Sequence, residues 1–316
     1  MPARAITLCR PAHCRIRIRT PMAPSKSRSR DRSSRPGRPS KSTPAASARS
    51  GGSSAEWLTG FHSVREALLA GRRRFDRLWL RAGKQREEQA EMATLARTRG
   101  VLIELVDGAE LADRIDQDGN HQGVALLAGP IPELSLRQLL ELASESHGGG
   151  RRLVALDGVE DPQNVGALAR VAESSGVSGL ILTDRRAPAL TPAVSRASAG
   201  AIEWLPVARV SNLGRALELV KDGGYWVVAA GFGSKSGLYE LDDRILTGSL
   251  TVVLGAEGRG IRRSILEQAD HLVEIPMRGR ISSLNVSTAG AIILYDLLRR
   301  SESIVSAMDR LPDGAG

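Results

Sequence analysis

Between residues 151 and 300, short apolar runs alternate with segments of helical period. The runs Leu153–Leu156, Gly179–Thr183, Trp226–Ala230, Thr251–Leu254 and Leu272–Ile275 are continuous rather than alternating. That pattern predicts strands covered on both faces, as in a mainly parallel sheet. The last strong element is a helix from Asn285 to about Arg300. This half is therefore expected to be an α/β domain with helices on both faces.

Upstream, a smaller α/β unit is predicted over 56–129. Ser63 and Glu66 have capping-box spacing, and Val64, Ala67 and Leu68 supply one apolar helical face. A strand (Arg77–Leu80), a helix (Arg86–Arg99) closed by Gly100, a strand (Val101–Val106), another helix and a strand (Gly123–Ala128) complete it. Residues 130–150, bracketed by Pro130, Pro132 and a Gly148-Gly149-Gly150 run, read as a linker holding one amphipathic segment, Leu134–Ala143. Residues 1–55 are rich in Ser, Arg, Pro and Gly without apolar periodicity, so a disordered arm is expected there. The domain itself should run over 151–303, with a tail at 304–316.

Charge changes this picture once it is divided along the chain. The formal net charge is +9, but residues 1–55 hold 13 Lys+Arg against Asp31 alone. The arm is thus +12 and the remainder −3. The arm should give sequence-independent attraction to phosphates, and charge alone says no more about RNA. Cys9 and Cys14 both lie in the arm, which Met22 would exclude if it were the true start. A body without cysteine suits a reducing cytosol. No metal site is expected, because the five histidines lack ligand spacing. No apolar run approaches a membrane span. A secretory signal is unexpected without an apolar core segment, whereas the Arg- and Ser-rich arm leaves an organellar transit peptide open.

Three clusters carry candidate chemistry, each at the end of a predicted strand, where open α/β sheets place ligands. In LDGVEDPQNVGALARVAESSG (156–176), Pro162 and Gly166 are expected to bend the chain and Asn164 to cap the next helix. Arg170 lies about 120° around that helix from Asn164. In VVLGAEGRGI (252–261), a buried strand runs into Gly255, Gly258 and Gly260, which allow close approach of backbone to a ligand. Their G-x-x-G-x-G spacing differs from the G-x-G-x-x-G dinucleotide fingerprint. In IPMRGRISSLNVSTAGAIILYD (275–296), a loop through Ser282 and Ser283 precedes a helix opened by Asn285. Ser287, Ala289 and Gly290 leave one face of it narrow, so another segment or subunit can pack closely. Taken singly, each cluster also reads as ordinary caps and turns.

The three together, in this order, resemble the SpoU family of ribose 2′-O-methyltransferases, within the SPOUT superfamily. GFHSVREALLAG (60–71) and HQGVAL (121–126) resemble the accessory, ribosomal-protein-like RNA-binding domain of the family's ribosomal-RNA guanosine methyltransferases. The resemblance implies a trefoil-knotted domain, an exception to the rule that chains are unknotted. It also implies a cytoplasmic homodimer that binds S-adenosyl-L-methionine and methylates a guanosine ribose in large-subunit (23S) ribosomal RNA or an assembling subunit. Carried over position by position, Asn164, Arg170, Glu257, Ser283 and Asn285 match the family's functional positions. Leu254, Gly255, Gly260, Ile275, Met277 and Leu284 match its cofactor positions. A transfer-RNA substrate, base methylation, or a silent RNA-binding assembly factor are the alternatives. The five matched functional residues argue against the silent factor.

Overall fold

The computed structural model describes residues 17–18, 55–83, 87–115, 121–144, 150–231 and 237–308. Its first unit contains β1 (Arg17–Ile18), β2 (Glu56–Thr59), α1 (Phe61–Ala70), β3 (Phe75–Arg81), α2 (Glu87–Thr98), β4 (Leu102–Val106), α3 (Gly108–Ile115) and β5 (Val124–Ala128). The sheet order is β1-β4-β3-β5-β2. β3 and β4 are parallel, while β5 runs antiparallel to both β3 and β2. Leu78 and Leu80 face Val64, Leu68 and Met92 in the main core of this unit, and Trp79 points the other way, toward Leu111. Of the expected arm only Arg17 and Ile18 are described, paired with Glu104 and Leu105. Cys9, Cys14 and Met22 lie outside the described residues.

The second unit begins with α4 (Leu136–Ser144), followed by β6 (Arg152–Asp157), α5 (Pro162–Ser174), β7 (Gly179–Thr183), α6 (Pro192–Ala197) and a 3-10 turn at Ala201–Glu203. Then come β8 (Val207–Val210), α7 (Leu213–Asp222), β9 (Trp226–Ala230), a second 3-10 turn (Leu238–Glu240) and α8 (Asp243–Thr247). β10 (Leu250–Gly255), α9 (Arg263–Leu266), β11 (His271–Val273) and α10 (Val286–Met308) complete it. The six strands are all parallel, in the order β11-β9-β10-β6-β7-β8. The continuous apolar runs follow from burial on both faces. Val154, Leu156, Val252 and Leu254 pack on one side with residues of α5 and α10. Leu153, Ala155 and Val253 pack on the other with residues of α4, α7 and α9.

Several local expectations fail for physical reasons. Ser63 is not a cap: it is buried inside α1, whose N-cap is Gly60 at φ 89°. Glu66 is spent on Arg65 and on the Trp204 indole instead. Asn164 is not the cap of α5 either. Asp161 fills that role, accepting from the Gln163 amide at 3.0 Å ahead of Pro162 in the first turn, so Asn164 rides inside the helix. Gly166 makes no bend, but lies at a helix crossing against α6. Strand β8 carries no long apolar run because Arg209 interrupts it, paired with Glu133 and donating to the Thr183 and Pro188 carbonyls. The expected linker contributes α4, whose Leu136, Leu139 and Ala143 cover one face of the sheet. α10 continues past Arg300 to Met308, beyond which the chain lies outside the described residues.

Gly166 offers a direct test of that crossing. A Cβ there would stand 2.4 Å from the Ala197 Cβ and 2.9 Å from the Ser198 nitrogen and the Val194 oxygen. Backbone atoms cannot give way as a flexible side chain does. Gly166→Ala should lower unfolding stability by about 1–3 kcal/mol, despite alanine's better helix propensity, as read by urea denaturation.

Candidate active site

The C-terminal ends of β6 and β10 lie side by side, with Gly255 opposite Asp157 in register. Each strand therefore releases its following loop at the same level of the sheet. After β6 the chain turns into α5, which presents Asn164. After β10 it enters the glycine loop, which presents Glu257. The third contributor is the 276–285 crossing into α10, whose entry is capped by Asn285: its Oδ1 accepts from the Ser287 amide at 2.8 Å.

These three residues meet. The Asn285 amide donates to Asn164 Oδ1 at 2.9 Å and also to Glu257 Oε1. Asn164 Nδ2 donates to the same Glu257 oxygen at 3.3 Å. One carboxylate oxygen thus fixes two amides, which lie 121 residues apart in sequence. Beside them opens a cleft of about 370 Å³, within the range of small-molecule sites. Leu254, Gly255, Gly260, Ile275, Met277 and Leu284 all line it, as do Glu257 and Ser283. Ala230, Gly231, Ala256 and Val286 also contribute to its wall, so much of it is backbone and small or apolar side chain. Gly290 brings α10 against Leu168 and Leu254, where a Cβ would stand 2.4 Å from Leu168 Cδ2.

Arg170 stands apart. It lies on α5 six residues beyond Asn164, about 9 Å along the axis, and does not line the cleft of its own chain. It is exposed and makes no ion pair among the described residues. No group of three or more His, Cys, Asp or Glu residues that could hold a metal occurs among the described residues.

The SpoU rRNA Methylase family model matches residues 151–295, and a model described as RNA 2′-O ribose methyltransferase substrate binding matches 57–134. A Staphylococcus haemolyticus protein, named as a TrmH family tRNA/rRNA methyltransferase, is 32% identical over 78% of this chain and 96% of its own length. The chain belongs to the SpoU family of RNA methyltransferases. Among solved structures, an AdoMet-bound rRNA methyltransferase from Sinorhizobium meliloti aligns at 25% identity and TM-score 0.63, over 78% of this chain and 87% of that one. The SpoU methyltransferase AviRb of Streptomyces viridochromogenes shares the fold, with a TM-score of 0.66 at 21% identity, over 79% of this chain and 91% of that one. The two-domain α/β architecture of this SpoU chain is thus that of SPOUT relatives.

Two residues of the site escape sequence reading. Asp157, 3% exposed at the end of β6, accepts from the Arg262 amide at 2.9 Å and from its Nε at 2.8 Å. Its own carbonyl accepts from the Ala256 amide at 3.1 Å. The glycine loop is therefore pinned at both ends to one residue of the neighbouring strand. The signal was an acid directly after an apolar run, but nothing in the sequence points to Arg262 as its partner.

Within the loop, Gly255 is the tightest point. A Cβ there would lie 2.3 Å from the Gly260 carbonyl carbon and 2.4 Å from the Ile261 nitrogen. Gly255→Ala must open the loop, and titration calorimetry should show affinity for S-adenosyl-L-methionine reduced by about tenfold or more.

Proposed function

We propose that this SpoU chain transfers the methyl group of S-adenosyl-L-methionine to a guanosine ribose 2′-oxygen in large-subunit ribosomal RNA, acting as a cytoplasmic homodimer. The observation that carries the reading is the junction of the cleft with the Asn164–Glu257–Asn285 network at one edge of the sheet. The walls suit this cofactor: the crowded turn at Gly255 and Gly260 exposes backbone, Ile275, Met277 and Leu284 add apolar surface, and chemistry by a bound sulfonium calls for no metal ligands. The match of residues 57–134 to a substrate-binding model supports a folded RNA module ahead of the catalytic domain. No helix among the described residues is long and apolar enough to cross a membrane.

When bound, the cofactor supplies an already activated methyl group. The protein's task is then to hold the ribose hydroxyl in line and to manage its proton, and positioning of this kind contributes on the order of 7–11 kcal/mol. Ser283, at the exposed lip of the cleft, can hydrogen-bond the incoming hydroxyl. Asn164 and Asn285 are held in fixed orientation by Glu257, so their dipoles need no rearrangement as charge develops. Arg170 is the cation of the set. A guanidinium remains protonated, so its part is to stabilise the developing alkoxide or the adjacent phosphate rather than to remove the proton. Its absence from the lining of its own cleft and from any ion pair among the described residues supports delivery to the partner subunit's site.

Arg170→Ala should lower the methylation rate by about 10²–10³ while leaving cofactor affinity nearly unchanged. Mixing inactive Arg170→Ala chains with inactive Ser283→Ala chains tests the shared site. Random pairing should restore about a quarter of wild-type activity, the share of sites assembled from unmutated parts. No recovery at all would place Arg170 in its own subunit's site or outside catalysis.

The substrate is tested by mapping ribose methylation across total RNA from cells lacking the gene. A single missing site in large-subunit ribosomal RNA is the expected result. Loss of a transfer-RNA site would redirect the reading, and an unchanged map would remove the enzymatic one.

A further inference from the structure

The two domains are joined by more than chain connectivity. Glu203, 1% exposed in the turn after α6, accepts from Arg73 Nε at 2.8 Å and from a second Arg73 nitrogen. Arg73 belongs to the first domain and is itself 7% exposed. Ser195 Oγ donates to Glu203 Oε1 at 2.7 Å, and the remaining Arg73 nitrogen reaches the Gly129 carbonyl at 3.2 Å. Arg72 donates to the Glu203 and Leu205 carbonyls at 3.1 and 3.0 Å.

Further contacts fall along the whole length of α1. Before its start, Thr59 accepts from Arg196 at 2.8 Å. In its middle, Glu66 accepts from Trp204 Nε1 at 2.8 Å. Between them Gly200 comes so close that a Cβ would stand 2.6 Å from Glu66 Cβ and 3.0 Å from the His62 oxygen. An apolar patch could slide or rotate, but a two-pronged arginine–carboxylate pair fixes both distance and orientation. Leaving either charge buried without the other is costly, so an undocked arrangement must return both to water.

The segment that receives α1 also supports the active site. α6 packs on α5 at Gly166, two residues after Asn164 and four before Arg170. A continuous packed path therefore runs from α1 through α6 to the helix that carries two of the proposed site residues.

We propose that Arg73 and Glu203 are positioning residues that lock the substrate-binding domain onto the catalytic domain, so that the span between them is rigid and selects which ribose reaches the cleft. This rests on the RNA-methylating reading above. In a tethered arrangement, by contrast, the first domain would raise local RNA concentration without choosing the nucleotide.

The test uses the full chain. The Arg73→Gln/Glu203→Gln double variant removes both charges while keeping polar groups, and Arg73→Lys keeps the charge but loses the fork. Substrate is ribosomal RNA from cells lacking the gene. For the double variant, kcat/KM on this RNA should fall about 10- to 100-fold, with methyl groups appearing at additional nucleotides. Affinity for S-adenosyl-L-methionine should stay unchanged, and Arg73→Lys should recover part of the selectivity. A merely structural role would lower the melting temperature and total activity without spreading the methylated positions.

Should the variants fail to fold, the wild-type protein decides. Under an arginine-directed dicarbonyl reagent read by peptide mass spectrometry, Arg73 should resist modification, while its neighbour Arg74, 84% exposed, reacts. Labelling of Arg73 as fast as Arg74, or a double variant that keeps wild-type kcat/KM and the same nucleotide, overturns the proposal. If the wild-type protein transfers no methyl group to RNA, the functional reading fails instead, and the labelling result still reports on docking.

Discussion

The in-register pairing of β6 with β10 is the constraint on which the site depends. Six residue pairs, from Leu250 opposite Arg152 to Gly255 opposite Asp157, bring two strand ends to the same height. Parallel strands need long crossovers, so these ends are nearly a hundred residues apart in sequence and yet adjacent in space. Asp157 then converts proximity into a defined loop. Its backbone and side chain hold both ends of the 256–262 turn, and its carboxylate, buried at 3% exposure, is charge-paired by Arg262. A buried carboxylate without such partners would cost several kcal/mol. The loop that shapes the cleft and aims Glu257 is therefore tied to the stability of the central sheet.

Much of this was legible because burial on both faces leaves a strong sequence signature. The runs at 153–156, 179–183 and 251–254 fall on strands whose residues in these runs are all buried, and the run at 226–230 falls on β9, where Trp226 alone is exposed. The glycine pattern after β10 was legible for a steric reason. Only glycine tolerates the contact between Gly255 and Gly260, and Gly258 and Gly260 adopt positive φ. Asn285 was readable as a cap because its side chain serves the first amides of α10.

What escaped were features set by partners distant in sequence. Helix starts were misplaced where another residue outcompeted the expected cap: Asp161 directly precedes Pro162, leaving Asn164 free to turn toward Glu257. Propensity at one position carries no information about which of two neighbouring cap residues the tertiary structure will employ elsewhere. Arg209 hid β8, because a charged residue within a four-residue strand looks like a loop until its carbonyl and carboxylate partners are known. The docking of the two domains was likewise invisible, since nothing in the run Arg72-Arg73-Arg74 marks which arginine finds a buried partner. Only burial beside Glu203 distinguishes Arg73 from Arg74.

The charge distribution can be reconciled with an RNA substrate on the same local basis. Outside residues 1–55 the chain carries net −3, so phosphate contacts made by the two domains themselves would fall to cations left uncompensated locally. Around the cleft, Arg262 is neutralised by Asp157 and Arg263 by Glu267. Arg259, Arg278 and Arg280 are exposed and form no ion pair among the described residues. All three lie on the loops that carry Glu257 and Ser283, so in the proposed reaction they stand where a backbone phosphate flanking the target ribose would pass. In the proposed reaction these three cations would hold the RNA backbone at the mouth of the cleft, and contacts of that kind set register and orientation without reading the bases.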